Sequence, residues 1–351
     1  ITSIGAVEGP PELQLHRERG AARGAGGRVV VSNDGTSEIR IYDSTGRWIR
    51  SIGGEGDGPG EFRLIRAFQI IPPDTILAFE DRGPRITALT ADAVIGETRR
   101  LTPPGRPYKP PDHRLPNGRW LGLLRSEEIE GYQQRTNSYA TWSEDGVAMD
   151  TVITRTGYEY LLYTREEGGR YIGKGAVVVP FGGEDLTAIG PGRVALSDGA
   201  AYDISVAELG GRRLRVRRTV ERRPVSADEA ARFVDEYVAR YPEERQADVR
   251  SRFEQVTAAS HLPTHAAIAF DSDGNLWVES YRLLRDMHLP RTWSVFDPDG
   301  RWLGDVDLPH PPQERRGGGQ VGDGGVVVAL TERQQPAQPE QVRAHERALV
   351  R

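Results

Sequence analysis

Three stretches of this chain align with one another: Ile41 to Arg50 (IYDSTGRWIR), Val295 to Gly304 (VFDPDGRWLG) and Thr141 to Asp150 (TWSEDGVAMD). Each reads as the end of one strand, a polar turn closed by Gly, and the start of the next strand. A weaker copy, Ala88 to Glu97 (ALTADAVIGE), carries Ala93 where the others have Gly. The equivalent positions Asp43, Thr90 and Ser143 lie 47 and 53 residues apart. A repeat of this length constrains the fold more than any other feature, because one such unit cannot bury its apolar face alone and must stack on its neighbours. With strands on both sides of every turn, the spacing predicts the blades of a β-propeller.

The strands around the turns fill in the pattern. Leu13 to His16, Arg28 to Ser32 and Trp48 to Ile52 flank the first hairpin. Short runs rich in Val, Ile, Trp and Tyr, bounded by DG, NG and GG turns, recur along the chain. They predict one all-β domain over 1–351, a six-bladed propeller of four-stranded antiparallel blades. The blades are expected at about 13–52, 65–101, 112–154, 174–219, 265–308 and 313–350. Lys174 to Phe181 opens the fourth, and Ile1 to Ala6 supplies the strand that closes the last. Closure protects strand edges that would otherwise pair with other chains. One segment departs from the pattern. Ser226 and Glu229 form a capping box, and Ala230, Phe233, Val234, Tyr237 and Val238 follow at helical spacing. Pro242 then opens a second helix. A helical hairpin over about 226–258 is therefore expected between blades four and five, its apolar stripe packed on one rim of the ring.

Residues Gly53 to Phe62 (GGEGDGPGEF), Asp271 to Glu279 (DSDGNLWVE) and Val295 to Pro309 (VFDPDGRWLGDVDLP) give the chain a resemblance to the NHL-type six-bladed propellers. It resembles most the secreted bacterial six-bladed β-propeller proteins. The likeness spans nearly the whole chain. It implies ligand or protein binding at a ring face, and it carries no shared catalytic residue set to transfer.

Composition narrows the chemistry. The absence of Cys removes thiol nucleophiles, thiolate zinc sites, iron–sulfur clusters and disulfides. The net charge of −5 argues against a nucleic-acid partner, which would meet a domain-scale basic surface. No apolar run approaches the length of a membrane helix. The first residue is Ile1 rather than Met, as expected of a secreted protein whose signal peptide has been removed. Of 46 basic residues only Lys109 and Lys174 are Lys, an Arg excess that genome composition explains as well as anion recognition does.

The motifs that invite a catalytic or metal reading lack its context. Gly53 to Gly60 has no GK followed by Ser or Thr and leads into a strand, so it reads as turns. Asp271, Asp273 and Asn275 sit at calcium-loop spacing, but positions six and twelve hold Leu276 and Arg282. His261 and His265 are an i, i+4 pair interrupted by Pro263, which removes a helical zinc site; both read as ordinary loop residues, with a His-lined metal channel at the ring axis as the alternative. No GxSxG or SxxK occurs. No catalytic residue, metal ligand or cofactor is assigned.

The polar cluster that stands out is Trp277, Glu279, Tyr281, Arg282 and Arg285. Strand alternation would turn Trp277 and Glu279 to one face and Val278 to the other. Arg66, opening blade two, and Arg125, leaving the second strand of blade three, are placed at the same cavity. Arg66, Arg125, Glu279, Tyr281 and Arg282 are thus the expected ligand-binding residues, an anion-recognising mouth of Arg forks and a Tyr hydroxyl. Salt bridges between blades are the competing explanation.

The expected function is a secreted, non-catalytic propeller binding a protein, peptide or glycan, or serving as an extracellular assembly subunit. In the latter case Ile1 to Ala6 would pair with a neighbouring copy to form a homo-oligomer. The alternative is a metal-dependent hydrolase or lyase of the gluconolactonase or streptogramin-lyase propeller type.

Overall fold

A computed structural model describes residues 4–5, 8–80, 85–100, 113–115, 117–126, 128–143 and 148–308. Their architecture is five antiparallel sheets and one pair of helices. The chain forms two compact units. Described residues within Ile1–Leu123 and Ala140–Asp150 belong to the first, and those within Leu124–Tyr139 and Thr151–Gln320 to the second.

In the first unit, β1 (Glu18–Arg23), β2 (Val29–Asn33), β3 (Glu38–Tyr42) and β4 (Trp48–Gly53) pair in chain order. So do β5 (Ile65–Ile71), β6 (Thr75–Glu80), β7 (Arg85–Thr90) and β8 (Ile95–Arg100). Inward residues of the two sheets share one core, with Val30, Ile39, Ile41 and Ile52 against Ile65, Ile76 and Leu89. The third sheet has five strands: β9 (His113–Arg114), β10 (Trp120–Arg125), β11 (Gly131–Trp142), β12 (Ala148–Glu167) and β13 (Arg170–Val178).

The second unit contains β14 (Leu186–Gly190), β15 (Arg193–Ser197), β16 (Asp203–Glu208) and β17 (Arg213–Arg217), again in chain order. After the helices come β18 (His265–Phe270), β19 (Leu276–Ser280), β20 (Arg291–Phe296) and β21 (Trp302–Leu308). These two sheets also share a core, with Ala188, Ile204 and Val206 meeting Ile268, Leu276 and Val278. A Cβ on Gly190 would stand 2.4 Å from that of Phe270, so only Gly lets β14 lie this close to β18.

One turn recurs throughout. The residue that opens it donates its N–H to the carbonyl four residues on, and the residue three on donates back. This holds at Asp43 and Arg47, Thr90 and Val94, Leu115 and Arg119, Glu208 and Arg212, Asp271 and Asn275, and Asp297 and Arg301. The fourth residue is left-handed every time: Gly46, Ala93, Gly118, Gly211, Gly274 and Gly300 all have φ between 66° and 103°. Asp at the opening position caps its own turn, as Asp43 Oδ1 does for the N–H groups of Thr45 and Arg47 at 2.8 and 3.0 Å. Ala93 adopts this conformation at a cost. Ala93→Gly is expected to stabilise the first unit by about 1 kcal/mol, read as a higher urea midpoint at constant slope.

The structure corrects several sequence expectations. Leu13 ends a short 3-10 turn, Pro11–Leu13, and the first strand of the first sheet is Glu18–Arg23. Lys174 to Val178 is the outer part of β13 in the third sheet, not the first strand of the fourth, which is Leu186–Gly190. The reason is continuity: nothing between Thr151 and Glu166 breaks β12, and Gly168 and Gly169, at φ 59° and 76°, reverse the chain into β13. Along β19 the side chains alternate as expected, with Leu276 and Val278 in the core shared with β14 to β17 and Trp277 and Glu279 outside it, and all four are buried because the strand is an interior one. The sixth blade at 313–350 lies outside the described residues. Of its closing segment only Ile4 and Gly5 are described, neither of them in a strand.

The helices are α1 (Ala227–Val238) and α2 (Glu243–Phe253), between β17 and β18, and the capping box of Ser226 and Glu229 is present. Their apolar stripe rests on the long hairpin of the third sheet. Val238, Val249 and Phe253 pack with Leu161, Tyr163 and Val177.

Candidate functional site

The segment leaving β17 reads RTVERRP from Arg218 to Pro224, and it runs over the last sheet to the cap of α1. Beneath it opens a groove of about 420 Å³, at the small end of the range for ligand pockets. Tyr202, Arg218, Arg222, Arg223, Tyr281 and Asp305 are among its lining residues, with Thr264, Ser280 and Ser294 adding hydroxyls. All belong to the second unit.

Each polar residue is placed by a different element. Tyr202 precedes β16, and its ring packs against His265 and Phe296 at 5.4 and 6.1 Å between centroids. Its hydroxyl is buried against Ser294 and Arg218 without a well-formed hydrogen bond to either. Arg218 Nη1 donates to Ser294 Oγ at 3.0 Å and to Asp305 Oδ1 at 3.2 Å. Its guanidinium lies 4.8 Å from the ring centre of Trp302, a cation–π contact. Burial pushes the Asp305 carboxyl up, but bonds from Ser294, Arg218 and Trp302 outweigh it and hold the group below its usual range. Arg223 is gripped by the Glu229 carboxylate at 2.6 and 3.1 Å. Arg222 is exposed and makes no ion pair among the described residues. Tyr281 meets Phe181 edge-on at 6.5 Å, and burial raises its hydroxyl to about 12.

Behind the groove, Thr264 connects to a buried imidazole. His265 is 1% exposed. Its Nδ1 lies 2.8 Å from Thr264 Oγ1 and its Nε2 2.8 Å from Ser197 Oγ. It is therefore not the loop residue that its sequence context suggests, because it opens β18 and is bonded to β15.

Of the five expected ligand-binding residues, Tyr281 lines the groove. Glu279 is buried and engaged: Arg291 binds its carboxylate with Nε at 2.7 Å and with Nη2, and Arg282 Nη2 lies 3.4 Å away. Arg282 also donates to the carbonyls of Leu289 and Met287 at 2.8 and 3.4 Å. Both residues therefore hold the loop between β19 and β20. Arg66 lies half-buried on β5 in the first unit, and Arg125 ends β10 in the second. Tyr202, Arg218, Arg222, Ser294 and Asp305 were not among the residues expected from sequence. The basic run before the helix cap was the available signal.

The glycine-rich loop is a cradle for a side chain of this chain. The carbonyls of Asp57 and Glu61 accept from the Arg85 guanidinium at 3.0 and 2.5 Å. The Asp271 carboxylate is consumed by its own turn, accepting from the N–H groups of Asp273 and Asn275, the Asn275 amide and the Trp277 indole at 2.8 to 3.0 Å. Among the described residues, no three His, Asp or Glu side chains are grouped as a metal ion would need. No helix among them is long and apolar enough to cross a membrane.

Residues 21–84 match the family model described as 6-bladed beta-propeller, DUF5128. The protein is a β-propeller. Among similar solved structures is a DUF4221 family member from Bacteroides vulgatus, 12% identical, covering 84% of each chain with a TM-score of 0.47. Virginiamycin B lyase from Staphylococcus aureus is 13% identical over 84% of this propeller and 71% of its own chain, with a TM-score of 0.36. The calcium-binding protein regucalcin from Agrobacterium tumefaciens is 10% identical over 88% and 81%, with a TM-score of 0.34. No curated protein matches the sequence.

Proposed function

We propose that this propeller is a secreted binding protein that takes its ligand in the groove beneath Arg218 to Pro224. The observation that carries this reading is the groove itself, about 420 Å³ and lined by Arg218, Arg222 and Tyr281 with the hydroxyl-bearing Thr264, Ser280 and Ser294. The surrounding side chains support binding over chemistry. Arg218 is held by Asp305 and Ser294 through Nη1, and burial raises the Tyr281 hydroxyl further above neutrality, so the wall presents fixed donors.

The test is a mixed glycan and peptide array probed with the purified chain, with and without Arg218→Ala. Binding to at least one class is expected, weakened tenfold or more by the variant, since truncation removes two hydrogen bonds and the support of Trp302. Binding that Arg218→Ala leaves unchanged, or an array blank throughout, would overturn the reading.

A further inference from the structure

The main chain of the segment over the groove favours one class of occupant, a point that rests on the binding function just proposed. We infer that the groove takes an extended peptide, which adds to residues 219–223 as an antiparallel strand and sets a basic residue opposite Glu221 and an acidic one opposite Arg222.

The peptide class comes from unpaired main-chain groups. Arg218 to Arg223 contain no turn or bend, and they carry the chain beyond the last pairing of β17 with β16, at Arg217 and Asp203. The Arg218 N–H still reaches the Tyr202 carbonyl at 3.2 Å, and at the far end the Arg223 carbonyl accepts from the Leu262 N–H at 2.9 Å. Between these two bonds the N–H groups of residues 219–223 and the carbonyls of residues 219–222 make no hydrogen bond among the described residues. In an extended run such groups alternate between the two edges, so the edge along the groove carries those of at least two residues. Repeating along a strand that rises about 3.3 Å per residue, they match the main chain of a second extended segment, which is the basis of recognition by strand addition. A sugar has no matching array of alternating amide donors and acceptors.

The segment is held ready for a partner. Arg218 is tied to Ser294 and Asp305, Arg223 to Glu229, and Val220 packs against the core that the last two sheets share. A template fixed at its ends and its middle loses little freedom on binding. Register comes from the two charges between those anchors. Glu221 and Arg222 line the groove, are exposed, and make no ion pair among the described residues. In antiparallel pairing their partners are adjacent, the acidic one first. Opposite charges directly across a strand pair favour it and like charges oppose it.

The experiment is titration calorimetry on the full chain with four synthetic hexapeptides. The first is Thr-Val-Glu-Lys-Val-Thr, the second has Lys-Glu at its centre, the third has Gln-Gln there, and the fourth is the first N-methylated at Glu and Lys. Adjacent N–H groups face opposite edges, so the fourth loses one donor whichever edge pairs. The first peptide is expected to bind about threefold or more tightly than the second and third, and about tenfold or more tightly than the fourth. Glu221→Arg combined with Arg222→Glu should exchange the preference between the first two. N-methylation without effect, or the same preference in the parent and the double variant, would overturn strand addition in this register. If those peptides, or a saccharide bound in their place, still lose affinity on Arg218→Ala, the groove remains the binding site and only the occupant's pairing fails. Binding that Arg218→Ala leaves unchanged would overturn both readings.

Discussion

Replacing Arg85 by Met will destabilise the first unit by about 3–5 kcal/mol, the cost of removing one partner from a buried ion pair. Glu80 and Arg85 have side chains only 1% and 9% exposed. The guanidinium binds the Glu80 carboxylate through Nε and through Nη2, the latter at 3.0 Å. It also satisfies carbonyls of the 53–62 loop at Asp57 and Glu61. Without it, Glu80 keeps, among the described residues, the Arg63 N–H at 2.8 Å, and the loop carbonyls lose that donor. Replacing both partners, Arg85→Met with Glu80→Leu, should recover part of the loss, because no buried charge is then left alone. Urea denaturation of the single and double variants measures both effects. A single variant within about 1 kcal/mol of the parent would show that the guanidinium does not organise the loop.

The second large effect is a pH dependence centred on His265. Burial pulls its pKa down from 6.5 to about 4, with Asp198 working against that shift and Arg155 adding to it. The folded state therefore holds the imidazole neutral, while the unfolded chain takes up a proton as pH falls through 6.5. Between the two values the unfolded state binds more protons, so stability falls with falling pH. The contribution is full above about 6.5 and gone below about 4, and at about 1.36 kcal/mol per pH unit it amounts to about 3 kcal/mol. In urea titrations from about pH 7.5 to about pH 4, the parent should lose about that much more than His265→Gln, whose side chain cannot titrate. Parallel curves for the two proteins would refute the assignment. Carboxylates elsewhere change both proteins alike, so the difference isolates the histidine.

The turns and helix starts were legible because their chemistry is local. An Asp that caps the N–H groups two and four residues on, and a Gly that turns left-handed at the fourth position, act within one short turn. The pattern therefore shows in any copy, even where Ala93 has replaced Gly. The Ser226 and Glu229 box is equally local. By contrast, the length of β12 depends on the absence of a break over 20 residues. Such an absence carries no positive signal, so a regular four-strand period places Lys174 to Val178 in the wrong sheet. Glu279 and Arg282 stand out as charged neighbours leaving a strand, and their actual work is to tie the β19–β20 loop to Arg291 and to its own carbonyls.

The residues that line the groove lie at the other extreme. Arg218 and Asp305 are 87 residues apart, and Arg218 and Ser294 are 76 apart. Nothing near Arg218 in the chain distinguishes it from the arginines around it. Sequence by itself determined the β-propeller class, the recurring capped turn and the place of the helical pair, because periodicity and turn chemistry are properties of adjacent residues. Only the tertiary structure decided which arginines are spent on carboxylates, that His265 is buried between two hydroxyls, and that the Tyr202 hydroxyl is buried without a formed hydrogen bond. Those outcomes depend on which side chains two separately formed sheets bring together, and burial then sets the charge state and the unmet hydrogen-bonding capacity of each one.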